Sequence, residues 1–168
     1  MISIGFRVTS NKIHYAILEE DCEELKYNIS EIIVPVALNL SDKLAFCRTT
    51  IQTLIRQREI TLAGIKLREG CARNGITNDD FIRFYLEGVI METMSNSKIH
   101  YHLDLVSNSI ISILGKEKNE YNIDSLLSEV FDLNTLRTDS DYKLKPNDKE
   151  ALLVAYTTLI YGKNNERI

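Results

Sequence analysis

The hydrophobic period of this chain changes once near its start, and that change limits the folds it can adopt. From Ile2 to Val8, apolar residues alternate with small or polar ones, which is the spacing of a half-buried strand. The alternation resumes after the turn Thr9–Asn11, and a third β-rich run covers Asn28–Val36, where Pro35 suits an edge strand. The sequence therefore opens with a predicted antiparallel meander of three strands.

Helical spacing then replaces this alternation. Ser41 is a predicted helix cap, a short β run covers Ile60–Leu67, and Asn78 is the predicted cap of a second helix. A fifth strand is predicted over Lys98–Leu105, followed by helices over residues 107–114, over residues 123–133 and from residue 149 onward. The order β-β-β-α-β-α-β, then helices, predicts an α/β fold with a mixed five-stranded sheet flanked by helices.

Composition favours one domain. The 168 residues, 44% of them hydrophobic, suit a single core over residues 1–162 with a disordered tail over residues 163–168. The net charge of −4 means that any contact with nucleic acid needs a local basic patch. We expect neither a signal peptide nor a membrane span, and we predict a cytoplasmic protein.

Three stretches resemble the RuvC-like branch of the RNase H-like fold, the relatives of Holliday-junction resolvases. "ISIGFRVTSNKIHYAI" is similar to the opening strand and hairpin of that branch, "LAGIKLREG" to its fourth strand, and "NDKEALLVAYTTL" to its final helix. The segments "IKLREG" and "FYLEGVIMETM" also resemble a small, uncharacterised bacterial family within this fold. The resemblance implies the strand order 3-2-1-4-5.

The resemblance also implies a site, and this chain departs from it. Active relatives are expected to bind two Mg²⁺ ions through about four carboxylates, since paired hard cations activate water and stabilise the leaving oxygen. The first-strand aspartate of the pattern falls on Arg7 and the fourth-strand glutamate on Lys66. The final-helix acids fall on Asn147 and Glu150, with Asp148 adjacent. The motif is thus degenerate, and we predict no bound metal.

The resemblance suggests what replaces the metals. Strands one and four are neighbours in this fold, and small residues such as Gly5 would let the last helix approach them closely. Arg7 and Lys66 would then lie near the acidic start of that helix. We predict that Glu150 and Asp148 form charge-assisted pairs with these two cations.

Other interpretations of the same residues stay open. Asn147 and Glu150 have the spacing of an ordinary helix capping box. Glu87 follows Arg83 by four residues, which is typical of a surface ion pair. Glu69 and Glu87, together with Asp148 and Glu150, are alternative metal ligands if the carboxylates have moved. His14, His100 and His102 are interpreted as polar residues on strand faces.

A basic, glycine-containing loop follows the fourth strand. Lys66, Arg68 and Arg73 are the candidate contacts to nucleic-acid phosphates. They lead to the first functional hypothesis, a catalytically degenerate RuvC-like domain that binds DNA or RNA weakly, or a protein, within a DNA-processing or defence complex.

Two further hypotheses remain. One is a Mg²⁺-dependent nuclease with relocated carboxylates. The other is a structural homodimer formed through the apolar second helix, in which Phe81, Phe84 and Met91 lie roughly opposite Ile82, Leu86 and Val89.

Overall fold

Three antiparallel strands open the protein in a computed structural model that describes residues 1–21, 24–69 and 76–165. β1 (Ile2–Val8) pairs with β2 (Lys12–Asp21), and β2 pairs along its whole length with β3 (Glu24–Ile33). The third strand therefore starts earlier than the predicted run Asn28–Val36, because residues 24–27 continue the β2 hairpin. Pro35 lies beyond the end of the strand.

Two parallel strands complete the sheet. β4 (Leu62–Lys66) pairs with β1, and β5 (Tyr101–Leu105) pairs with β4, both in parallel. The resulting order, β3-β2-β1-β4-β5, confirms the predicted mixed sheet. β1 lies at the centre of the sheet. Because β1 and β4 are parallel neighbours, their carboxyl ends are side by side.

Helices cover both faces of this sheet. One layer packs against Ile4, Phe6 and Val8 of β1, and the other packs against the opposite face. The first layer contains α1 (Leu40–Gln57) and α2 (Asn78–Ser95), and the second contains α3 (Ser107–Ile113), α4 (Ile123–Ser128) and α5 (Pro146–Asn165).

Helix starts depend on side-chain caps that lie one or two residues before the predicted ones. Asn39, and not Ser41, caps α1 by accepting the Asp42 N–H at 3.0 Å. Thr77, and not Asn78, caps α2 in a reciprocal capping box with Asp80. Both caps satisfy backbone donors that a helix leaves unpaired.

The last helix extends into the predicted tail. α5 continues through Asn165, since Lys163 forms an ion pair with Glu20 of β2 and Asn165 Nδ2 donates to the Tyr161 carbonyl. The predicted tail thus begins too early, and its residues 166–168 lie outside the described part of the chain. By contrast, α4 stops before the predicted Leu133, and Asp132 makes an Asx-type turn by accepting the Asn134 N–H.

The polar alternation of β1 determines where α5 lies. Ser3 Oγ donates to the Ala155 carbonyl at 2.9 Å, Gly5 lies against Ala151 and Ala155, and Arg7 contacts Glu150. The face of β1 that contains Ser3, Gly5 and Arg7 thus packs against the N-terminal half of α5. Among the described helices, none is long and apolar enough to cross a bilayer.

Candidate functional site

A row of polar residues crosses the sheet at the carboxyl ends of β1 and β4. Register places Lys66 opposite Arg7, Arg7 opposite His14, and His14 opposite Glu31, across four adjacent strands. Neighbouring residues in register share a face of a sheet. The first two turns of α5 lie over this row and bring its acidic side chains onto it.

Arg7 forms an ion pair with Glu150, which confirms the predicted partnership. The two side chains are only 14% and 19% exposed. Arg7 Nη1 also donates to the carbonyls of Lys66 and Leu67, at 3.1 and 3.3 Å. Burial lowers the pKa of Arg7; the negative charge of Glu150 opposes this shift and the positive charge of Arg83 adds to it. The guanidinium is thereby anchored between β1, the end of β4 and α5.

Asp148 does not pair with either predicted cation. Its Oδ1 lies 2.7 Å from His14 Nδ1, and its Oδ2 accepts the Lys145 N–H at 2.9 Å. Asp148 therefore occupies the capping position that the sequence suggested for Glu150, because the helix begins at Pro146 and leaves Asn147 half-buried in its first turn. Although burial acts to raise the pKa of Asp148, the bonds from His14 and Lys145 outweigh it and lower that pKa.

Lys66 pairs with Glu69 and not with the acids of α5. Lys66 is 4% exposed and its ammonium contacts Glu69 Oε1. The same oxygen accepts the backbone N–H of Ser107 at 2.6 Å and the Ser107 hydroxyl at 2.5 Å. Although desolvation acts to raise the pKa of Glu69, these bonds and the Lys66 charge lower it to about 2. The partner of Lys66 is thus a neighbour in sequence, three residues away.

Two further ion pairs complete the cluster. Arg83 Nε lies 2.9 Å from Glu87 Oε1, and Glu87 is only 4% exposed, so the predicted surface pair is buried. Glu87 Oε1 also accepts the Arg68 N–H at 3.2 Å, which ties the end of β4 to α2. The Arg68 side chain pairs with Asp80.

The donor set does not fit a pair of Mg²⁺ ions. Mg²⁺ prefers oxygen ligands in octahedral geometry, yet the expected first-strand and fourth-strand ligand positions hold cations. The four nearby acids, Glu69, Glu87, Asp148 and Glu150, each contact a lysine, arginine or histidine. Among the described residues, no group of three or more His, Cys, Asp and Glu side chains is arranged to hold a metal ion.

The predicted basic loop lies only partly within the described residues. Lys66 is buried, Arg68 is 27% exposed at its side chain, and Arg73 lies outside the described residues. His100 and His102 are exposed, whereas His14 is a buried member of the site.

Sequence reasoning missed the roles of His14 and Tyr121. The first hairpin closes through a two-residue loop, Ser10–Asn11, with the Thr9 N–H donating to the Lys12 carbonyl. This register places His14 next to Arg7. The three-residue turn predicted over Thr9–Asn11 would have placed Ile13 there instead. Tyr121 has no comparable signal because it lies in an irregular segment far from β1. Its ring centroid lies 5.8 Å from Lys66 Nζ, and burial raises the pKa of its hydroxyl.

Comparisons with known proteins agree on the fold. Thermus thermophilus RuvC superposes with a TM-score of 0.69 at 8% identity, over 98% of this chain and 97% of that one. T. thermophilus RuvC in complex with a Holliday junction substrate gives 0.65 at 10% identity, over 98% and 96%. The yeast mitochondrial Holliday junction resolvase Ydc2 gives 0.63 at 10% identity, over 98% and 80%. No protein-family model and no curated protein matches the sequence. The chain thus has the RuvC-like form of the RNase H-like fold.

Proposed function

We propose that this RuvC-like domain is catalytically degenerate and binds nucleic acid without cleaving it, as a subunit of a DNA-processing or defence complex. The buried ion pair of Arg7 with Glu150 carries the proposal. It stands at the carboxyl ends of β1 and β4, where the resemblance calls for metal ligands. A guanidinium fixed by two backbone carbonyls and a carboxylate leaves no oxygen-rich position for a divalent cation at that point.

Nucleic acid is the favoured partner because the structure of a similar fold, T. thermophilus RuvC, was solved with a Holliday junction substrate. This chain carries a net charge of −4, so its contacts with phosphates must be local and few. Of the two cations of the basic loop that lie within the described residues, Lys66 is buried, whereas the Arg68 side chain is 27% exposed and pairs with Asp80. A protein partner at the same surface is the alternative, and the binding measurements below separate the two.

The hypothesis of a nuclease with relocated carboxylates has less support. It needs Glu69, Glu87, Asp148 and Glu150 to coordinate metal ions. Each of these acids already contacts a cation or a histidine, and releasing it would leave that partner buried and unpaired.

We expect no cleavage of four-way junctions, duplexes or single strands of DNA or RNA when Mg²⁺ or Mn²⁺ is added. The physical reason is that Arg7 and Lys66 place positive charge where metal ligands are needed. Labelled substrates resolved on denaturing gels measure the reaction, with a Glu150→Gln variant purified in parallel. Turnover by the wild-type protein that disappears in Glu150→Gln would establish the nuclease hypothesis instead.

Binding of nucleic acid should be weak and sensitive to salt. Arg68→Ala is expected to reduce the slope of log affinity against log salt by about one unit, since one phosphate contact is lost. Fluorescence anisotropy of a labelled four-way junction at several salt concentrations gives the slope. Arg48→Ala is the matched control, because Arg48 is a half-exposed arginine elsewhere on the molecule. Tight binding that survives high salt, or equal slopes in both variants, contradicts the proposal.

We also propose that the isolated protein is a homodimer formed through α2. Phe81, Phe84 and Tyr85 are 50%, 42% and 51% exposed and lie on one face, at positions i, i+3 and i+4. The predicted side of Ile82, Leu86 and Val89 faces the core. Met91, predicted to lie with Phe81 and Phe84, also packs against the core. One exposed aromatic face of α2 therefore remains for a partner.

The mass in solution tests this proposal. Sedimentation equilibrium at micromolar concentrations should give twice the chain mass of 19.3 kDa. Phe84→Glu should give the monomer, because it puts a charge into a desolvated aromatic patch. Val36→Glu, at an 80% exposed position between β3 and α1, should leave the dimer intact. A wild-type monomer at high micromolar concentration refutes the dimer.

A further inference from the structure

Three donors converge on one oxygen atom at the carboxyl end of β4. The Lys66 ammonium, the Ser107 backbone N–H and the Ser107 hydroxyl all reach Glu69 Oε1. We call this arrangement of Lys66 and Ser107 the oxyanion cradle. The cradle and its occupant differ in burial: Lys66 is 4% exposed, whereas the Glu69 side chain is 47% exposed.

This difference in burial distinguishes Lys66, a fixed part of the site, from Glu69, an occupant that another anion can replace. A lysine ammonium that is almost fully buried needs an anion beside it at all times, because an unpaired buried charge is costly. Glu69 follows the end of β4 in irregular structure, and its side chain is half-exposed, so it reaches solvent without the backbone of β4 moving. The cradle therefore requires a negatively charged oxygen but does not require that oxygen to come from Glu69.

A further donor, the Tyr121 hydroxyl, lies beside the cradle. The Tyr121 hydroxyl is buried beside the Ser107 side chain, where it makes no hydrogen bond of good geometry, and the Tyr121 ring centroid lies 5.8 Å from the Lys66 ammonium. A phosphate group has more acceptor oxygens than a carboxylate, so it would supply an acceptor for this hydroxyl as well as for Lys66 and Ser107.

We propose that the oxyanion cradle is a phosphate-binding site, and that Glu69 occupies it as an internal competitor until a backbone phosphate of nucleic acid displaces it. The choice of nucleic acid as the source of the phosphate rests on the proposed function. The cradle itself rests only on Lys66, Ser107, Tyr121 and Glu69. The low pKa of Glu69, about 2, agrees with a cradle that strongly favours a negative charge.

Substitutions of Glu69 that leave the cradle open test this inference. Glu69→Gln and Glu69→Asp should each raise the affinity for inorganic phosphate by about tenfold or more, because a site blocked by its own side chain binds in proportion to the fraction that is open. Glu69→Asp keeps the net charge and only shortens the side chain. Isothermal titration calorimetry with inorganic phosphate gives the first affinity, and anisotropy of a labelled four-way junction gives the second.

Controls assign the effect to the cradle. Glu129→Gln makes the same charge change at an exposed glutamate that pairs with Lys116, and it should alter either affinity by less than about twofold. Adding Lys66→Met to Glu69→Gln should abolish the gain. Circular dichroism checks the fold of each variant, and Glu69→Asp, the smaller change, decides the matter if Glu69→Gln does not fold.

The outcomes separate this inference from the proposed function. A gain for both phosphate and the junction supports the inference in full. A gain for phosphate alone supports the cradle and overturns nucleic acid as its source. No gain in either Glu69 variant overturns the cradle, even if the wild-type protein binds the junction. Failure of the wild-type protein to bind nucleic acid at any salt concentration counts against the proposed function and not against the cradle.

Discussion

Arg7→Ala is expected to lower the free energy of unfolding by about 3 kcal/mol. The substitution leaves the carboxylate of Glu150, whose side chain is 19% exposed, without its cation in a largely desolvated position. It also removes the donor to the carbonyls of Lys66 and Leu67, so the ends of β1 and β4 lose a cross-link. Urea denaturation followed by circular dichroism measures the change, from the transition midpoint and slope.

An exposed ion pair provides the comparison. Arg48 Nε lies 3.0 Å from Glu92 Oε2, and the two side chains are 48% and 46% exposed. Arg48→Ala should therefore cost less than about 1 kcal/mol. The double variant Arg7→Ala with Glu150→Ala should recover part of the loss, because no unpaired charge remains. Equal small losses for Arg7→Ala and Arg48→Ala would show that burial does not strengthen the pair.

Gly5→Ala is expected to destabilise the protein by about 3 kcal/mol, at the upper end of the range for overpacking. A Cβ atom at Gly5 would lie less than 3.0 Å from the Ala151 carbonyl oxygen and the Ala155 nitrogen, both of which are backbone atoms. No rotamer change relieves such a contact, so α5 must move away from β1. Thermal and urea unfolding of the variant measure the cost.

The matched control has the opposite sign. Gly88 lies inside α2, and a Cβ placed there meets no atom within 4 Å beyond its chain neighbours and the nearby backbone of its own helix. Gly88→Ala should thus stabilise the protein by about 0.5–1 kcal/mol through helix propensity. If Gly5→Ala proved as stable as the wild-type protein, the close approach of α5 to β1 would be wrong, and the placement of Glu150 over Arg7 with it.

The architecture of the protein follows from periods that the sequence displays. Alternation in the first strand assigns Phe6 to one face and Gly5 and Arg7 to the other, and the structure confirms this division. Three strands in succession, then alternation with helices, predict the mixed sheet, and the resemblance supplies its order. Element ends were less predictable, because caps such as Asn39 and Thr77 compete with equally suitable neighbours.

Some ion pairs of the site were predictable from the sequence and others were not. The pairing of Arg7 with Glu150 was predictable, since a resemblance placed a known strand end beside a known helix start. The pairing of His14 with Asp148 joins residues 134 positions apart. No local sequence pattern predicts this contact. It depends on the position of α5 along the sheet, which the packing of Ala151 and Ala155 against Gly5 sets.

The sequence by itself determined the period of each element and the face of β1 on which each side chain lies, and the resemblance identified the loss of carboxylates at three expected ligand positions, Arg7, Lys66 and Asn147. Only the tertiary structure decided which acid neutralises which cation, and that Lys66, His14 and Glu87 are buried. The physical reason is that periodicity reports the direction of a side chain relative to its own backbone. Burial and charge pairing depend instead on the position of other segments, which the packing of α5 and α2 against the sheet sets.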